Sequence, residues 1–365
     1  MADLARGLAT LKDGPSNLQV TVVTQTEGTP EQDVKFPFRV IRRRGIRDLW
    51  RAIRDADVVH LAGPALLPML MALSLGKPMV VEHHGFQTAC PNGQMFHEPT
   101  KKPCPGYYMK ARYAECLGCN RKALGFAGSL RLLCLTPIRR RLANRAAVNV
   151  TPTVWLASIL RLRRMETIRH GATVRETQGP TSPSYSTFAC QGRLVTTKGF
   201  DVALEAARQL TVEGLKVDVK IIGNGPEKAR LVAQASRSSA AVEFLDHVSD
   251  EGLGLALSTA ATVVMPSLGG EVFGLVAAEN MLRGKLLIVS DIGSLREVVG
   301  DTGLVFAAGD SAGLASCMRS VLQDPELAES LGAAARKRAL EIFDPARMIQ
   351  PHVSVYRRVL GYSGS

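Results

Sequence analysis

Short runs of apolar, β-branched residues alternate with longer helical patterns along almost all of this 365-residue chain. This alternation is typical of α/β proteins, in which helices cover a parallel sheet. The predicted strands are residues 20–23, 58–60, 79–81, 147–150, 187–191, 217–222, 242–245, 261–265 and 286–289. Because the chain is too long for one ordinary core, we expect two α/β domains.

A segment rich in Pro, Ser and Thr, residues 176–186, separates the two sets of strands and has no apolar period. This composition predicts a linker. The domains are therefore predicted at 1–180, with a Cys-rich insert at 90–119, and at 187–345. Residues 346–365 are predicted to form a helix that packs back across the hinge. Ligands of such domains bind beyond the carboxyl ends of the strands, so the interdomain cleft is the expected site.

The chain is basic, with a formal net charge of +12, and the excess of arginine lies in its first half. The clusters are Arg39, Arg42, Arg43, Arg44, Arg47, Arg51 and Arg54; Arg139, Arg140, Arg141 and Arg145; and Arg161, Arg163, Arg164 and Arg169. Such a surface can face an anionic membrane, an anionic substrate or nucleic acid, and a solvated helix face is the simpler interpretation. Aromatic residues form only 5% of the chain, which argues against nucleic-acid binding by base stacking.

No apolar run reaches the length of a membrane span, and the first residues lack the basic–apolar–small pattern of a signal peptide. We therefore expect a cytoplasmic protein.

Residues 266–300 contain the most specific motif of the chain. A predicted strand leads into the Gly-rich loop 266–270, which is followed by the start of a predicted helix. Glu271 lies in the loop and Glu279 lies inside the helix. A helix N-terminus has unpaired N–H groups and the positive end of the helix dipole, so it can hold a phosphate. The pattern suits a ligand that is anionic at one end and rich in hydroxyls at the other, such as a sugar nucleotide.

Three other loops follow predicted strands in the second half. Residues 192–199 carry Arg193 and Lys198 on a Gly-bounded turn, a pair that suits a diphosphate. Residues 223–226 form a Gly-rich turn that lets a ligand approach the backbone. Residues 246–248 could pair with the edge of a base through main-chain groups.

These four motifs together resemble those of the family-4 retaining glycosyltransferases of the GT-B fold. The four motifs read GRLVTTKG, GNGP, FLDHV and EVFGLVAAE, and a further family segment follows as GSLREVVGDTG; the resemblance extends over roughly residues 187–345. The resemblance implies an α/β protein with two Rossmann-like domains whose parallel sheets face each other across a cleft. It also implies a hexosyltransferase without a catalytic metal, which moves a hexose from a nucleoside-diphosphate sugar to an unidentified acceptor with retention of configuration. The acceptor is a glycan, a lipid-linked sugar or a small molecule.

The resemblance implies a role for each donor-site residue. Arg193 and Lys198 would contact the diphosphate, together with backbone N–H groups around residues 274–276. Glu279 would bind the ribose hydroxyls, and Glu271 would contact the donor sugar. The predicted donor set is Gly192, Arg193, Lys198, Gly223, Val248, Glu271, Phe273, Gly274, Leu275, Val276 and Glu279.

In the first half, the sequence VVEHHG at residues 80–85 resembles a strand end of the family, with Gly85 in place of its usual Asp. By this resemblance His84 would face the donor sugar, although a histidine at a strand end is often only a hydrogen-bonded core residue. The predicted catalytic set is His84, Arg193, Lys198 and Glu271.

Several alternatives remain at this point. The first strand and Gly-Gly loop of the family are missing, because residues 1–9 read as the helix that follows them. We expect that the true start of the protein lies upstream of Met1. The alternative is that the sheet lacks this strand and that the chain is a catalytically impaired nucleotide-sugar-binding protein. A GT-B sugar-nucleotide epimerase is a further alternative. A glycosidase pair is disfavoured, because a phosphate-suited helix start separates Glu271 from Glu279. Asp55 and Asp57 resemble a metal-binding DxD motif, but they precede a predicted strand and indicate a loop.

Four of the seven cysteines, Cys90, Cys104, Cys116 and Cys119, lie in the insert, and the last two form a CxxC pair. In a cytosolic chain this pattern favours a metal over disulfides. We predict a structural zinc site, with an iron–sulfur cluster or free thiols as alternatives. The other cysteines are expected to be ordinary buried residues: Cys134, Cys190 and Cys317.

The expected partners are the nucleotide-sugar donor and the acceptor. The Arg-rich first domain could also contact the inner face of an anionic membrane, which would give access to a lipid-linked acceptor.

Overall fold

The computed structural model of this chain describes residues 2–11, 18–29, 33–42, 45–174, 183–246 and 248–362. The predictions for Arg43, Arg44 and His247, and for most of the 176–186 linker, lie outside these residues.

The described elements follow the predicted alternation of strands and helices. The strands are β1 (Thr21–Thr24), β2 (Arg39–Arg42), β3 (Val59–Ala62), β4 (Met79–Glu82), β5 (Phe96–His97), β6 (Lys102–Pro103), β7 (Val148–Thr151), β8 (Met165–Thr167), β9 (Ser184–Gln191), β10 (Asp218–Ile222), β11 (Ala241–Leu245), β12 (Ala260–Met265), β13 (Leu286–Ser290) and β14 (Gly303–Phe306). The helices are α1 (Ala2–Thr10), α2 (Ile46–Asp55), α3 (Leu66–Ser74), α4 (Tyr113–Ala143), α5 (Val154–Leu160), α6 (Phe200–Val212), α7 (Lys228–Ala235), α8 (Asp250–Ser258), α9 (Leu275–Leu282), α10 (Gly293–Val299), α11 (Ser311–Gln323), α12 (Pro325–Ile342) and α13 (Pro345–Val359).

Two parallel sheets form the centres of two domains. The N-terminal sheet has the strand order β3-β4-β7-β8, and the C-terminal sheet has the order β11-β10-β9-β12-β13-β14. Strands β1 and β2 form a separate parallel pair, and β5 and β6 form an antiparallel hairpin within the Cys-rich insert. The predicted α/β class with parallel sheets is confirmed.

Helices cover both faces of the C-terminal sheet. Successive residues of a strand point to opposite faces, so Phe188 and Cys190 of β9 enter one buried cluster and Ala189 enters another. Helices α6 and α11 line the first cluster, and α9, α10 and α12 line the second. Both ends of the strands therefore remain available for loops, and the loops at the carboxyl ends carry the candidate site.

The last helix, α13, packs on the N-terminal sheet although it follows the C-terminal domain along the chain. Met348 and Val353 of α13 share one buried cluster with Leu4 of α1 and with Val80 and Val150 of the sheet. Helix α13 thus returns to the N-terminal domain beside residues 171–172, where the N–H of Ala172 donates to the backbone oxygen of Phe343 at 2.9 Å, and it brings further polar side chains to the carboxyl end of β4.

The sequence analysis missed β2, β5, β6, β8 and β14. Strands β8 and β14 lie at the edges of their sheets and are only partly buried, so their apolar pattern is weak. The prediction of a solvated helix face for the first arginine cluster is wrong for Arg39 and Arg42, which form the ends of β2. The Arg42 guanidinium pairs with Asp33 at 2.8 Å and donates to the backbone oxygens of Thr26 and Glu27.

Two further expectations have clear outcomes. Cys134 is exposed rather than buried, because it lies on the outward side of α4, whereas Cys190 is buried in the sheet. Among the described helices, none is long and apolar enough to cross a membrane.

Candidate active site

The donor loop, residues 266–274, begins at the carboxyl end of β12 and ends at the start of α9. Strand β12 is buried throughout, which fixes the start of the loop. Gly274 is the N-cap of α9 and has a φ of 98°, a value that favours glycine. No side chain caps this helix start, and its first turn has no acidic residue. The N–H groups at the start of α9 can therefore bind an anion.

Lys198 and Glu271 meet beside this helix start. Lys198 lies on a short 3₁₀ turn after β9, and its ammonium forms an ion pair with Glu271 Oε1. Ser267 Oγ donates to the same oxygen at 3.1 Å, and Ser294 Oγ donates to the backbone oxygen of Glu271 at 3.0 Å. Glu271 is only 8% exposed, so these contacts hold its carboxylate in one place. Arg193 lies exposed on the loop that leads to Lys198.

Close backbone contacts join the glycine-rich loops. The N–H of Leu268 donates to the backbone oxygen of Thr197 at 2.7 Å. A Cβ on Gly199 would lie 2.0 Å from the backbone oxygen of Pro266. In the same way, a Cβ on Gly223 would lie 2.0 Å from the backbone oxygen of Gly192. Glycine is needed at these positions because no side chain fits between the loops.

The remaining predicted donor residues surround these loops. Glu279 is half-buried in the second turn of α9, and Phe273 is buried just before the helix. Val248 is half-buried beyond β11, where Asp246 forms an ion pair with Lys228 at 2.6 Å. The predicted base contact of residues 246–248 stays a prediction.

A buried carboxylate surrounded by imidazoles lies at the carboxyl end of β4 in the N-terminal domain. Glu82, the last residue of β4, is 1% exposed. Its Oε2 lies 3.0 Å from His60 Nε2 and 3.5 Å from His352 Nε2. Its Oε1 lies 3.6 Å from His84 Nε2 and 3.5 Å from His170 Nδ1. We call these five residues the Glu82 cluster.

The charges of the Glu82 cluster follow from its burial and its contacts. Burial alone would raise the pKa of Glu82, but the imidazoles of His352 and His60 outweigh it and hold this pKa well below its ordinary value. Burial lowers the pKa of His84, and it lowers the pKa of His170 to about 4. Glu82 is therefore ionised near pH 7, while His84 and His170 are neutral.

The cluster could hold a proton network or a metal ion. His60, Glu82 and His352 have ligand atoms within 4.8 Å of one another, and so do Glu82, His84 and His170. A proton network accounts for the contacts of His60, whose Nδ1 meets the Tyr356 hydroxyl at 2.5 Å while its Nε2 bonds Glu82 at 3.0 Å. The other three imidazoles lie 3.5–3.6 Å from the carboxylate.

Ring contacts connect His84 to the donor loop of the other domain. The His84 ring stacks on His170 with centroids 5.2 Å apart. His170 then meets Phe273 edge-on at 5.2 Å, and Phe273 packs against Phe343. Phe273 is two residues from Glu271, so a chain of ring contacts connects His84 to the donor loop.

Polar contacts also hold the two domains together. The N–H groups of Val154 and Trp155, at the start of α5, donate to the Glu297 carboxylate at 3.1 and 2.9 Å. Thr153 Oγ1 donates to the backbone oxygen of Val272 at 2.9 Å. Glu297, from α10 of the C-terminal domain, thus supplies the acidic group that the start of α5 lacks in its own sequence.

The sequence analysis missed several of these residues. His60, Glu82 and His352 come from three distant segments, and no local motif predicts that they meet. The spacing of His352 and Tyr356, four positions apart on α13, was a usable signal, because such residues share one helix face.

Comparison with known proteins shows that parts of this chain are similar to glycosyltransferases. Residues 178–338 match the family described as glycosyl transferases group 1. A glycogen synthase from Mycobacterium tuberculosis is 37% identical over 169 residues, which are 45% of this chain and 41% of that protein. A phosphatidyl-myo-inositol mannosyltransferase from Mycolicibacterium smegmatis is 28% identical over 62% of this chain and 60% of its own length. The chain thus spans less than two thirds of these relatives.

Solved structures extend the similarity to the whole chain. The Anabaena protein HepE, solved with UDP, with UDP and glucose, and with UDP-glucose, has a TM-score of 0.72 at 17% identity, and the match covers 98% of this chain and 94% of HepE. A sucrose-phosphate synthase from Thermosynechococcus elongatus has a TM-score of 0.69 at 17% identity, over 99% of this chain and 92% of that protein. At these identities the similarity establishes the fold.

Proposed function

The chain has the GT-B fold and carries a glycosyl transferases group 1 domain at residues 178–338, and from this premise we propose that it transfers a hexose from a nucleoside-diphosphate sugar to an acceptor hydroxyl. The observation that carries this proposal is the Lys198–Glu271 pair, which lies beside the uncapped start of α9. Ring contacts through His170 and Phe273 connect the donor loop to His84. A nucleotide-sugar donor is further supported by the names of the relatives and by the UDP-glucose bound in HepE.

Donor binding would use the charges on both sides of the donor loop. The diphosphate takes the start of α9 and the ammonium of Lys198, and Arg193 approaches it from solvent. This releases one oxygen of Glu271 from Lys198 to accept hydrogen bonds from the sugar hydroxyls. Glu279 binds the ribose hydroxyls from within α9. Each charge-assisted hydrogen bond of this kind contributes about 1.5–3 kcal/mol.

The reaction breaks the bond between the anomeric carbon and the phosphate oxygen, so negative charge develops on the leaving diphosphate. Lys198 and the start of α9 stabilise that charge, and loss of one such preorganised donor typically costs about 10²–10³ in rate. The acceptor hydroxyl attacks from the side that the phosphate leaves, and its proton passes to that phosphate. This route retains the anomeric configuration and needs neither a protein nucleophile nor a catalytic metal. His84, which is neutral, hydrogen-bonds the sugar from the facing wall.

Turnover tests this proposal. We expect the purified chain to release the nucleoside diphosphate from its donor, and NMR of the product to show the anomeric configuration of the donor. Lys198→Ala should lower kcat at least about 100-fold. Lys216→Ala, at an exposed position of the same domain, is the matched control and should keep full activity. Donor binding without any turnover would contradict the proposed enzyme activity and would indicate a nucleotide-sugar-binding protein instead.

The acceptor side is proposed to contact an anionic membrane through the kink of α4. At Gly125 the helix has a φ of 68°, and the residues around this kink are exposed. Leu124 and Phe126 are large apolar side chains there, next to Arg121 and Lys122. Apolar side chains flanked by cations are typical of membrane-surface contacts.

Flotation of the protein with liposomes tests this contact. The wild-type protein should float with vesicles that contain an anionic lipid and should stay behind with neutral vesicles. Phe126→Glu should abolish flotation, whereas Val232→Glu, at an exposed apolar position of α7, should not. Absence of flotation with anionic vesicles would refute the contact.

A further inference from the structure

The Cys-rich insert brings its cysteines together around one small cavity. Cys90 and Cys104 come from the loops that flank the β5–β6 hairpin, and Cys116 and Cys119 lie on one side of the first turns of α4. All four line a cavity of about 10 Å³. We call these residues the cysteine cluster. A cavity of this volume holds one atom-sized occupant such as a water molecule or an ion.

Two hydrogen-bond donors of the protein reach one sulfur of the cysteine cluster. The Asn92 side-chain amide donates to Cys119 Sγ at 3.3 Å, and the N–H of Glu98 donates to the same sulfur at 3.4 Å. Donors of this kind orient and stabilise metal-bound sulfur. Cys90, Cys116 and Cys119 are buried, so solvent does not provide that stabilisation.

A histidine beside the cluster also lacks a partner. His97 is 5% exposed and lines the same cavity, and its Nδ1 meets Thr100 Oγ1 at 2.8 Å. Its Nε2 has no hydrogen-bond partner in the described part of the chain, although Glu115 lies 3.7 Å away. A buried polar atom without a partner is rare and indicates an occupant that is not part of the protein chain.

We propose that the cysteine cluster binds one zinc ion through Cys90, Cys104, Cys116 and Cys119, and that this zinc centre holds the donor loop in place. Four cysteines that line one small cavity supply the ligand set of structural zinc sites. His97 lines the same cavity.

The connection to the donor loop is direct. Between Cys90 and Cys104, the backbone oxygen of Gln94 accepts a hydrogen bond from the N–H of Gly270 at 2.7 Å. A Cβ on Gly269 would lie 2.9 Å from Phe96 Cβ, so the two segments are in close contact. Phe96 is also buried within the core cluster of the C-terminal domain. The ion would thus fix the insert segment against which the loop carrying Glu271 rests.

Metal analysis of the full-length protein tests the zinc site without any activity assay. We expect one zinc per chain, and Co²⁺ substitution should give the intense absorption bands of tetrahedral thiolate coordination. A Cys116→Ser, Cys119→Ser double variant should lose the zinc. The controls Cys134→Ser and Cys317→Ser, outside the cluster, should keep it.

A second variant covers the case in which the double variant fails to fold. Asn92→Ala keeps all four sulfurs but removes the amide that contacts Cys119, and it should weaken zinc binding about 10–100-fold. Four freely alkylated thiols with no bound metal, a disulfide within the cluster, or stoichiometric iron would each overturn the proposal.

Hydrogen exchange tests whether the zinc centre stabilises the donor loop. The importance of this link rests on the proposed function, but the measurement itself does not depend on it. Removal of zinc by a chelator should speed exchange of the Gly270 amide at least about tenfold, while amides of β9 in the same domain stay protected. Unchanged exchange at Gly270 in the zinc-free protein would refute the link. Either result is independent of whether the protein transfers a sugar.

Discussion

At the scale of single residues, Glu82 explains how His84 is held. The carboxylate is buried and ionised, and imidazoles of the cluster approach both of its oxygens. His84 Nε2 lies 3.6 Å from a carboxylate oxygen of Glu82, and the His84 ring stacks on His170. We therefore propose that Glu82 acts as a positioning residue for His84.

Glu82→Gln should destabilise the protein by about 3 kcal/mol, because it removes a buried charge from partners arranged around it. We expect kcat to fall while the KM for the donor changes little, since the donor loop is untouched. Chemical denaturation and steady-state kinetics measure the two effects. Glu341→Gln, at an exposed position of α12, is the control. Wild-type stability in Glu82→Gln would contradict the role of the cluster.

A site residue can be predicted from the sequence when it belongs to a short motif, and not when its neighbours come from distant segments of the chain. The positions of Lys198, Glu271 and Glu279 relative to a strand and a helix start could be predicted, because each belongs to a short motif. Glu82 and His352 could not be predicted as neighbours, since their contact requires α13 to fold back onto the other domain. The same limit explains why the four cysteines could be grouped by spacing, whereas their contact with the donor loop could not.

At the scale of elements, the donor site depends on loops that touch through their backbones. Gly199 ends the turn that carries Lys198 and has a φ of 66°. A Cβ at this position would lie 2.0 Å from the backbone oxygen of Pro266. The position of Lys198 relative to Glu271 follows from this contact.

Gly199→Ala should cost more stability than a positive φ alone explains. Alanine in this backbone conformation costs about 1–2 kcal/mol, and the added methyl group would also displace Pro266. Gly214→Ala is the matched control, because Gly214 has a φ of 85° but no atom within 4 Å of the place that an added Cβ would take. Thermal unfolding should show a clearly larger loss for Gly199→Ala. Equal losses would mean that the loop contact is not tight.

Glu297 links the elements of the two domains. Glu297→Ala should open the cleft, because the start of α5 loses the acceptor of two N–H groups, a loss of about 1–2 kcal/mol. Small-angle scattering should show a larger radius of gyration for this variant, whereas Glu297→Gln, which keeps one acceptor oxygen, should lie closer to the wild type. An unchanged radius of gyration in Glu297→Ala would show that other contacts are enough to hold the two domains together.

Strands at the centre of a sheet were predictable, and those at the edge were less so. Residues 286–289 are a continuous apolar run, and residues 261–265 are one except for Thr262, because helices cover both faces of their strands. Strand β8 is short and only partly buried, so its three residues carry no comparable pattern. The second arginine cluster shows a related limit, since Arg140 donates to the backbone oxygens of Leu160 and Arg161 rather than facing solvent alone.

At the scale of the whole molecule, buried histidines predict how stability depends on pH. Burial lowers the pKa values of His83 and His170 to about 4 from an ordinary value of 6.5. Since the unfolded chain binds these protons first, the contribution of these two histidines should be constant above about pH 7, and stability should fall as the pH drops from 6.5 to 4. Each of the two histidines contributes about 3 kcal/mol to this loss.

Urea denaturation between pH 7.5 and 4.5 measures this dependence. His83→Gln should give a shallower loss, because it removes one group that stays neutral next to Asn149, Glu82 and His84. If wild type and variant lose stability in parallel, His83 does not contribute to the acid sensitivity of the fold.

The two domains together form the proposed donor cleft, with the Lys198–Glu271 pair on one side and His84 on the other. The central claim is that this cleft binds a nucleotide sugar, and it can be tested before the acceptor is known. The base and the sugar are left open, so UDP-, GDP- and ADP-sugars are all tested.

The most direct measurement is calorimetric titration of these nucleotide sugars into the wild-type protein, Lys198→Ala, Glu279→Ala and Lys216→Ala. At least one should bind the wild-type protein and, at a concentration of 100 times its Kd, stabilise it by about 2.7 kcal/mol. Lys216→Ala should bind equally well, and the other two variants should lose binding. If no nucleotide sugar binds, or if binding survives both Lys198→Ala and Glu279→Ala, the proposed site is wrong.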